Sequence, residues 1–344
     1  RGAYWHDEMA ITLVTHSYVN YAVSCMGDVF GLVPDDYIPV VNHVYTAARP
    51  GVLPFYMLAL YLGRMQDVAL NVFAGIHGLL CVLAIGLSAR MLFRSFGQYI
   101  FVLLYAAVGG YAFYYGRSQY GQGFAALFFA LHILFSVLYT RDGRKRWLVA
   151  SGLSIGYTVS LHYSLLMSVP AALVFAAAVS VCLRRFSQAR QVLKISIAGL
   201  AGCAVVFVGY VALGELTFKY LSELRQQYTA VFTSYGKMGL TFKTVTFYPI
   251  ILFFMEGPVA MILIILGVFR VIVWQRCKDT AMVVPVLVLA AGYAGSTMSS
   301  LQATRTLAPY SSVWCILAGY GLLEVARWSR KINPGLGHIA PVFL

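Results

Sequence analysis

Two adjacent carboxylates in an aromatic setting stand near the start of the chain, in Tyr4-Trp5-His6-Asp7-Glu8. A carboxylate within hydrogen-bond reach of a hydroxyl or amine can take its proton as that group attacks a sugar carbon. Asp7 and Glu8 are therefore candidate catalytic residues, with Asp7 as general base. The same pair suits a helix start, with Asp7 at the N-cap and Glu8 complementing the helix dipole. The two readings are compatible, because a capping carboxylate is also rigidly held.

Three arginines are candidates for holding a phosphate. Arg117 lies in Tyr114-Tyr115-Gly116-Arg117-Ser118-Gln119-Tyr120, Arg305 in Gln302-Ala303-Thr304-Arg305-Thr306-Leu307-Ala308-Pro309, and Arg49 precedes Pro50. A guanidinium offers a fork of donors and keeps its charge, so it can bind a lipid phosphate and stabilise it as a leaving group. Arginines near helix ends also serve as interfacial anchors, and that reading stands beside the first. His43, His162, Tyr163 and Tyr120 are candidates to line the same cavity, with a structural histidine the plainer reading of His162. Asp28, Asp35 and Asp36 lie near His6, His16 and His43, so a divalent metal is conceivable. No spacing there is a recognised ligand pattern, and the expectation is no metal and no cofactor. No Gly-rich phosphate loop is present.

Positioning these residues falls to a membrane scaffold. The chain is 60% hydrophobic and 11% charged, with a mean hydropathy of +0.76. A soluble domain carries roughly 25% charged residues, so the composition indicates a polytopic membrane protein. The net charge of +13 would suggest nucleic acid in a soluble chain, but the basic residues sit in short loops between apolar spans. Anionic lipid head groups and topology account for them, and no nucleic-acid partner is expected. The six cysteines form no CxxC and read as small apolar side chains rather than a disulfide or zinc framework.

The expected fold is all-α and polytopic. Nine spans are predicted, at 67–89, 98–116, 121–139, 147–163, 164–182, 195–214, 247–272, 281–299 and 307–326. Because the chain starts at Arg1, one further span is expected upstream. A single domain over 1–344 divides into a first outer loop (1–66), a helix bundle (67–214), a second outer loop (215–246), C-terminal helices (247–331) and a cytoplasmic tail (332–344). Amphipathic surface helices are predicted in both outer loops, with residues 8–25 forming the first, and residues 53–63 are too short to span and read as interfacial.

Sixteen of the 25 Lys and Arg fall in one set of loops, which the positive-inside rule makes cytoplasmic, while nine of the twelve Asp and Glu fall on or near the other side. Both long loops share that acidic side, so chemistry is expected there. Gly152 and Gly156, four residues apart, mark close helix packing. His77 and His132 fall inside spans and read as structural.

These features together resemble the GT-C superfamily of glycosyltransferases, with closest similarity to the protein O-mannosyltransferases and the bacterial aminoarabinose transferases. The resemblance covers roughly residues 4–325 and rests on three places. Asp7-Glu8 matches the acidic first-loop motif. Tyr115-Gly116-Arg117-Ser118-Gln119-Tyr120 resembles the outer arginine segment, and Arg305 through Pro309 the late segment. Leu53-Pro54-Phe55-Tyr56 is similar to the Pro-containing segment after the first loop, although Ala47-Ala48-Arg49-Pro50-Gly51-Val52 departs from its usual lead-in. The resemblance implies inverting transfer from a polyprenyl-phosphate sugar donor to an unknown acceptor, a protein or lipid glycan. Asp7 would be the base and Arg117 and Arg305 would hold the leaving phosphate, with the donor entering from the outer leaflet. Membrane lipids and a larger membrane complex are further expected partners.

A bacterial inner membrane with a periplasmic active face is expected, and an endoplasmic reticulum membrane with a luminal face has the same topology. The alternative is a GT-C-like scaffold subunit without activity. A transporter would place ionisable groups at mid-span, whereas here they gather at one rim.

Overall fold

The computed structural model describes residues 50–52, 68–110, 121–182, 187–218, 241–274, 280–298 and 304–332, with isolated positions between 54 and 62 and between 221 and 229. Ten α-helices follow in order: α1 (Val68–Leu92), α2 (Phe96–Val108), α3 (Gly121–Asp142), α4 (Lys145–Val159), α5 (Tyr163–Cys182), α6 (Ser187–Phe218), α7 (Phe242–Glu256), α8 (Pro258–Phe269), α9 (Thr280–Met298) and α10 (Ser311–Ile332). Short 3-10 turns at Pro50–Val52 and Thr304–Tyr310 accompany them, and no strand occurs among the described residues. Five of the helices are long and apolar enough to cross a membrane, or six if α7 and α8 are one broken span.

The side chains follow a membrane logic, apolar outward and small or polar inward. On α1, Val72, Ile76, Leu79, Leu83 and Leu87 are exposed at helical spacing, while Ala74, His77, Cys81, Ile85 and Ser88 are buried on the other face. A helix in hydrocarbon satisfies its own backbone groups, so it can present Leu and Ile to lipid without cost. Inside the bundle, small residues bring backbones together. α4 packs on α6 through such a seam. A Cβ on Gly156 would overlap the Gly202 backbone, and one on Gly202 would overlap the Gly152 carbonyl. The Gly152 and Gly156 signal is thus close packing, as expected.

The two histidines inside spans have partners. His132 Nδ1 lies 2.9 Å from Ser151 Oγ, which is 2.9 Å from Ser136 Oγ, so a polar cluster ties α3 to α4. His77 Nδ1 lies 2.9 Å from the Phe73 carbonyl, and its ring stands edge-on to Phe124 with centroids 4.4 Å apart. Cys81, Cys203 and Cys315 are free and buried, whereas Cys182, also free, is exposed at the end of α5.

Helix ends carry the turns. Gly143, at φ 70°, ends α3, and the Asp142 carboxylate accepts from the Arg144 amide at 3.0 Å and the Trp147 indole at 2.8 Å. Nine spans are expected from the sequence; the predicted spans 147–163 and 164–182 coincide with helices α4 and α5, but neither of these is among the five long and apolar enough to cross a membrane. The predicted span 247–272 is broken: α7 and α8 meet at Gly257 with a 120° bend. Gly257 takes φ 84° and ψ 162°, and Pro258, at the first position of α8, has no N–H to continue the α7 ladder. A hydropathy window averages across this break because both halves are apolar.

At the far end of α8, buried Arg270 pairs with Glu324 of α10, and Glu324 also receives Arg327 at 3.1 Å. The pair locks the basic end of α8 to α10.

Candidate functional site

Asp7, Glu8, His43, Arg49, Arg117 and Tyr120 lie outside the described residues, as do the predicted surface helix 8–25 and the acids Asp28, Asp35 and Asp36. The described residues give the surfaces on which two of the candidate segments are seated. The first lies on the hairpin of α4 and α5, joined by the link Ser160-Leu161-His162, and the second is built mainly on α3, with α5, α9 and α10 around it. This link lies at the opposite end of α4 from the basic Arg144-Lys145-Arg146 run.

The first seat takes the turn Pro50–Val52, which follows Arg49 directly in sequence. The Gly51 amide donates to the Ser160 carbonyl at 2.9 Å. The Gly51 carbonyl accepts from the Tyr157 hydroxyl at 2.7 Å. The Tyr210 hydroxyl of α6 donates in turn to the Tyr157 hydroxyl at 3.2 Å. Both backbone groups of Gly51 are therefore paired, one with each end of the same helical turn. A Cβ on Gly51 would overlap the Ser160 hydroxyl, so only glycine fits this approach.

Beyond the turn, Phe55 enters the bundle. Its ring stacks on Phe124 with centroids 5.6 Å apart and an interplanar angle of 3°, and it stands edge-on to His77 and Tyr157. Burying a phenylalanine is worth about 1.5–3 kcal/mol, so this ring is a second anchor for the chain leaving the first loop. Leu58 and Leu62 are exposed, which fits the interfacial reading of 53–63 in part; Phe55 departs from it by packing inside.

The second seat takes the turn Thr304–Tyr310, whose backbone contains Arg305. Leu307, Ala308 and Tyr310 of this turn are buried. Tyr310 Oη lies 3.1 Å from Ser168 Oγ of α5, and its ring stands edge-on to Phe129 of α3 at 5.9 Å. A Cβ on Gly292 of α9 would overlap the Tyr310 hydroxyl, so α9 closes the back of the seat.

His162 is buried in the link, and its carbonyl accepts from the Leu165 amide at 3.0 Å as α5 begins at Tyr163. Burial favours a structural role for His162 over a place on an open cavity wall. Among the described residues, no three His, Cys, Asp or Glu side chains converge as metal donors. Glu256 sits at the α7–α8 break with a carboxylate oxygen facing Gly109 at the end of α2. Residues 111–120, which contain Arg117, follow in sequence.

Sequence reasoning did not single out Tyr157, Ser160 or Tyr210. Tyr157 and Gly51 are 106 positions apart, and a tyrosine near a span end reads as one of many belt aromatics.

The dolichyl-phosphate-mannose-protein mannosyltransferase family (PMT_2) matches residues 49–209. That match starts at Arg49, runs through the first seat and the α4–α5 hairpin, and ends one residue before Tyr210. No curated protein sequence matches the chain. Among solved structures, the chain is similar to ArnT from Cupriavidus metallidurans, a crystal structure bound to undecaprenyl phosphate. The TM-score is 0.56 at 15% identity, over 83% of this chain and 54% of that one. The chain thus spans about half the length of the ArnT chain it matches. The chain is similar to this mannosyltransferase family over residues 49–209 and shares the polytopic helical fold of ArnT.

Proposed function

We propose that the chain transfers a sugar from a polyprenyl-phosphate carrier to an acceptor on the periplasmic or luminal face of its membrane. The observation that carries this reading is the fold shared with ArnT, which was solved with undecaprenyl phosphate bound, together with the family match over residues 49–209. Asp7 takes the proton of the acceptor hydroxyl or amine. The acceptor heteroatom bonds to the anomeric carbon from the face opposite the carrier, and configuration inverts. The bond from that carbon to the phosphate oxygen breaks, and its electron pair passes to the phosphate. Arg117, Arg305 and Arg49 neutralise the charge that develops there, the kind of preorganised stabilisation that is usually the largest catalytic term. Glu8 supports Asp7, while His43, Tyr120 and Tyr163 line the cavity. No nucleotide or metal takes part. A bacterial inner membrane is the proposed location.

Native mass spectrometry of the gently purified protein, beside Arg305→Ala, tests this reading. A bound polyprenyl phosphate or its sugar-charged form, depleted in the variant, is the expected result. Bulk phospholipid alone, equal in both proteins, would overturn it and favour a scaffold subunit without activity.

A further inference from the structure

We propose that α7 is a lipid-binding helix lying aslant inside the bilayer, and that α7 and α8 form a re-entrant pair instead of one broken span. The proposal stands apart from the carrier reading, because it uses no part of a phosphate site. Depth within the bundle carries it. Three points mark the basic end of the bundle. α2 begins at Phe96, two residues after Arg94. α9 begins at Thr280, whose hydroxyl donates at 2.9 Å to Gln191 near the start of α6, between Arg190 and Lys194. α8 ends by Arg270, which pairs with Glu324. Tyr293 is 13 residues beyond Thr280 and Gly109 is 13 beyond Phe96, while Glu256 is 14 before Arg270, so all three stand ~20 Å from that end at 1.5 Å per residue. Both ends of α7 are held at this one level. The Tyr293 hydroxyl donates to the Val245 carbonyl at 2.8 Å. A Cβ on Gly110 would overlap the Met255 carbonyl, and one on Gly109 would lie 3.1 Å from the Glu256 carboxylate. Val245 and Met255 are ten residues apart, ~15 Å of helix, so α7 runs across the bundle more than along it.

The bend agrees with this placement. A bend of 120° exceeds a right angle, so α7 and α8 run in opposite senses along the bundle axis. Of the 15 residues of α7, ~22 Å of helix, only about half that length then lies along the axis. The 12 residues of α8 reach ~18 Å, and the hydrocarbon core is ~30 Å thick, so neither helix crosses it and their opposed senses do not add to a crossing. The surface of α7 says what covers it. Phe242 and Phe254 are 85% and 78% exposed, with Val245, Ile250 and Phe253 exposed between them. The exposed apolar row continues past Gly257 through Val259, Ile262, Ile265 and Phe269 of α8. Polar groups at the exposed start of α7 are closed on themselves. The Thr241 amide donates to Thr244 Oγ1 at 2.9 Å, the Thr244 amide to Thr241 Oγ1 at 3.2 Å, and the Thr246 hydroxyl to the Phe242 carbonyl at 2.7 Å. A helix in hydrocarbon must satisfy its polar groups in this way, while a helix in water gains nothing from exposed phenylalanines. Lys243, the charge in the first turn, reaches the head groups along its apolar stem. The occupant is therefore the acyl chains of the leaflet away from the basic loops.

Spin labels read depth directly. The full chain, with its six cysteines replaced by alanine or serine, receives one of Phe242→Cys, Ile250→Cys, Phe254→Cys, Val259→Cys or Phe269→Cys, is nitroxide-labelled, and is reconstituted in phosphatidylcholine vesicles. Collision with oxygen, set against collision with a water-soluble nickel chelate, gives the depth of each label. The labels on α7 should be open to oxygen, shielded from nickel, and within ~9 Å of one another in depth, whereas depth should change by ~15 Å from Val259 to Phe269. The sense of the change should reverse at the bend. A depth that runs in one sense from Phe242 to Phe269, with ~18 Å of it over α7, would make the pair a single span and overturn the proposal. Nickel access along α7 would place the helix in water and overturn it as well. If the cysteine-free chain does not fold, the wild-type protein carries the test, in vesicles of phosphatidylcholine with a photoreactive diazirine at one acyl carbon. Peptide mapping should then find acyl adducts along 242–254 from that single depth. Adducts missing from α7, or confined to one of its ends, would overturn the proposal.

Discussion

The Tyr157 hydroxyl and the Gly51 carbonyl meet at 2.7 Å across 106 positions of sequence. That bond fixes the turn Pro50–Val52 to α4. The Gly51 amide makes the reciprocal contact with Ser160, so both backbone groups of Gly51 are paired. The catalytic reading places its base upstream of this turn in the sequence.

If Asp7 is the general base, Asp7→Asn should retain carrier binding and lose turnover. A positioned base contributes about 10²–10⁴-fold, so the rate should fall by that order. Mass spectrometry of membranes can follow conversion of the charged carrier to free polyprenyl phosphate. Turnover that survives Asp7→Asn would move the base to another residue.

The α4–α6 seam should not tolerate a methyl group. Gly202→Ala puts a Cβ into the Gly152 carbonyl. Overpacking of this kind costs about 1–3 kcal/mol, and a lower thermal midpoint in detergent would report it. Gly209→Ala, on the same helix with open space at its Cβ, is the matched control and should leave the midpoint near wild type.

Removing one side of the buried ion pair should cost more than removing both. Arg270 and Glu324 are almost wholly enclosed, with side chains 4% and 8% exposed. Arg270→Met alone leaves the buried Glu324 carboxylate with the half-exposed Arg327 at 3.1 Å as its partner, so the loss should stay below the roughly 3–5 kcal/mol of a wholly unpaired buried charge. Adding Glu324→Leu should restore most of it. A double variant as unstable as the single one would show that the charges themselves hold α8 to α10.

The bend at Gly257 should resist substitution as well. Its φ of 84° with ψ of 162° is a region nearly reserved for glycine. Gly257→Ala should cost of order 1–3 kcal/mol, read as a shift in the thermal midpoint. No shift would mean that α7 and α8 can straighten.

Much of the scaffold was legible from composition and periodicity. α4 and α5 are helical where the apolar runs predicted spans, although neither is among the five helices long and apolar enough to cross a membrane. The α7–α8 break was not legible, although Gly257-Pro258 stands in the sequence. A Gly-Pro pair inside an apolar run can kink a span or end it, and only the packing of each half decides. Phe55 illustrates a second limit. Residues 53–63 read as interfacial by length, yet the Phe55 ring is inserted between α1, α3 and α4. Long-range pairs such as Tyr157 with Gly51 leave no periodic trace, since neither residue type is unusual where it stands. The arginine at 305 was legible as a candidate through its place beside a span. The Tyr310 anchor that seats its turn was not, because its partners lie on α3, α5 and α9.

The seam of Gly152, Gly156 and Gly202 has a mechanical consequence. Where side chains separate two helices, rotamer changes let the helices slide. Here backbone meets backbone, and no such slack exists. α4 carries the seat of the first loop, and α6 carries Tyr210 and leads into the second loop. α4 and α6 therefore form one stiff plate. Any movement of the bundle must be taken up outside this seam, and the 120° bend between α7 and α8 at Gly257 lies outside it.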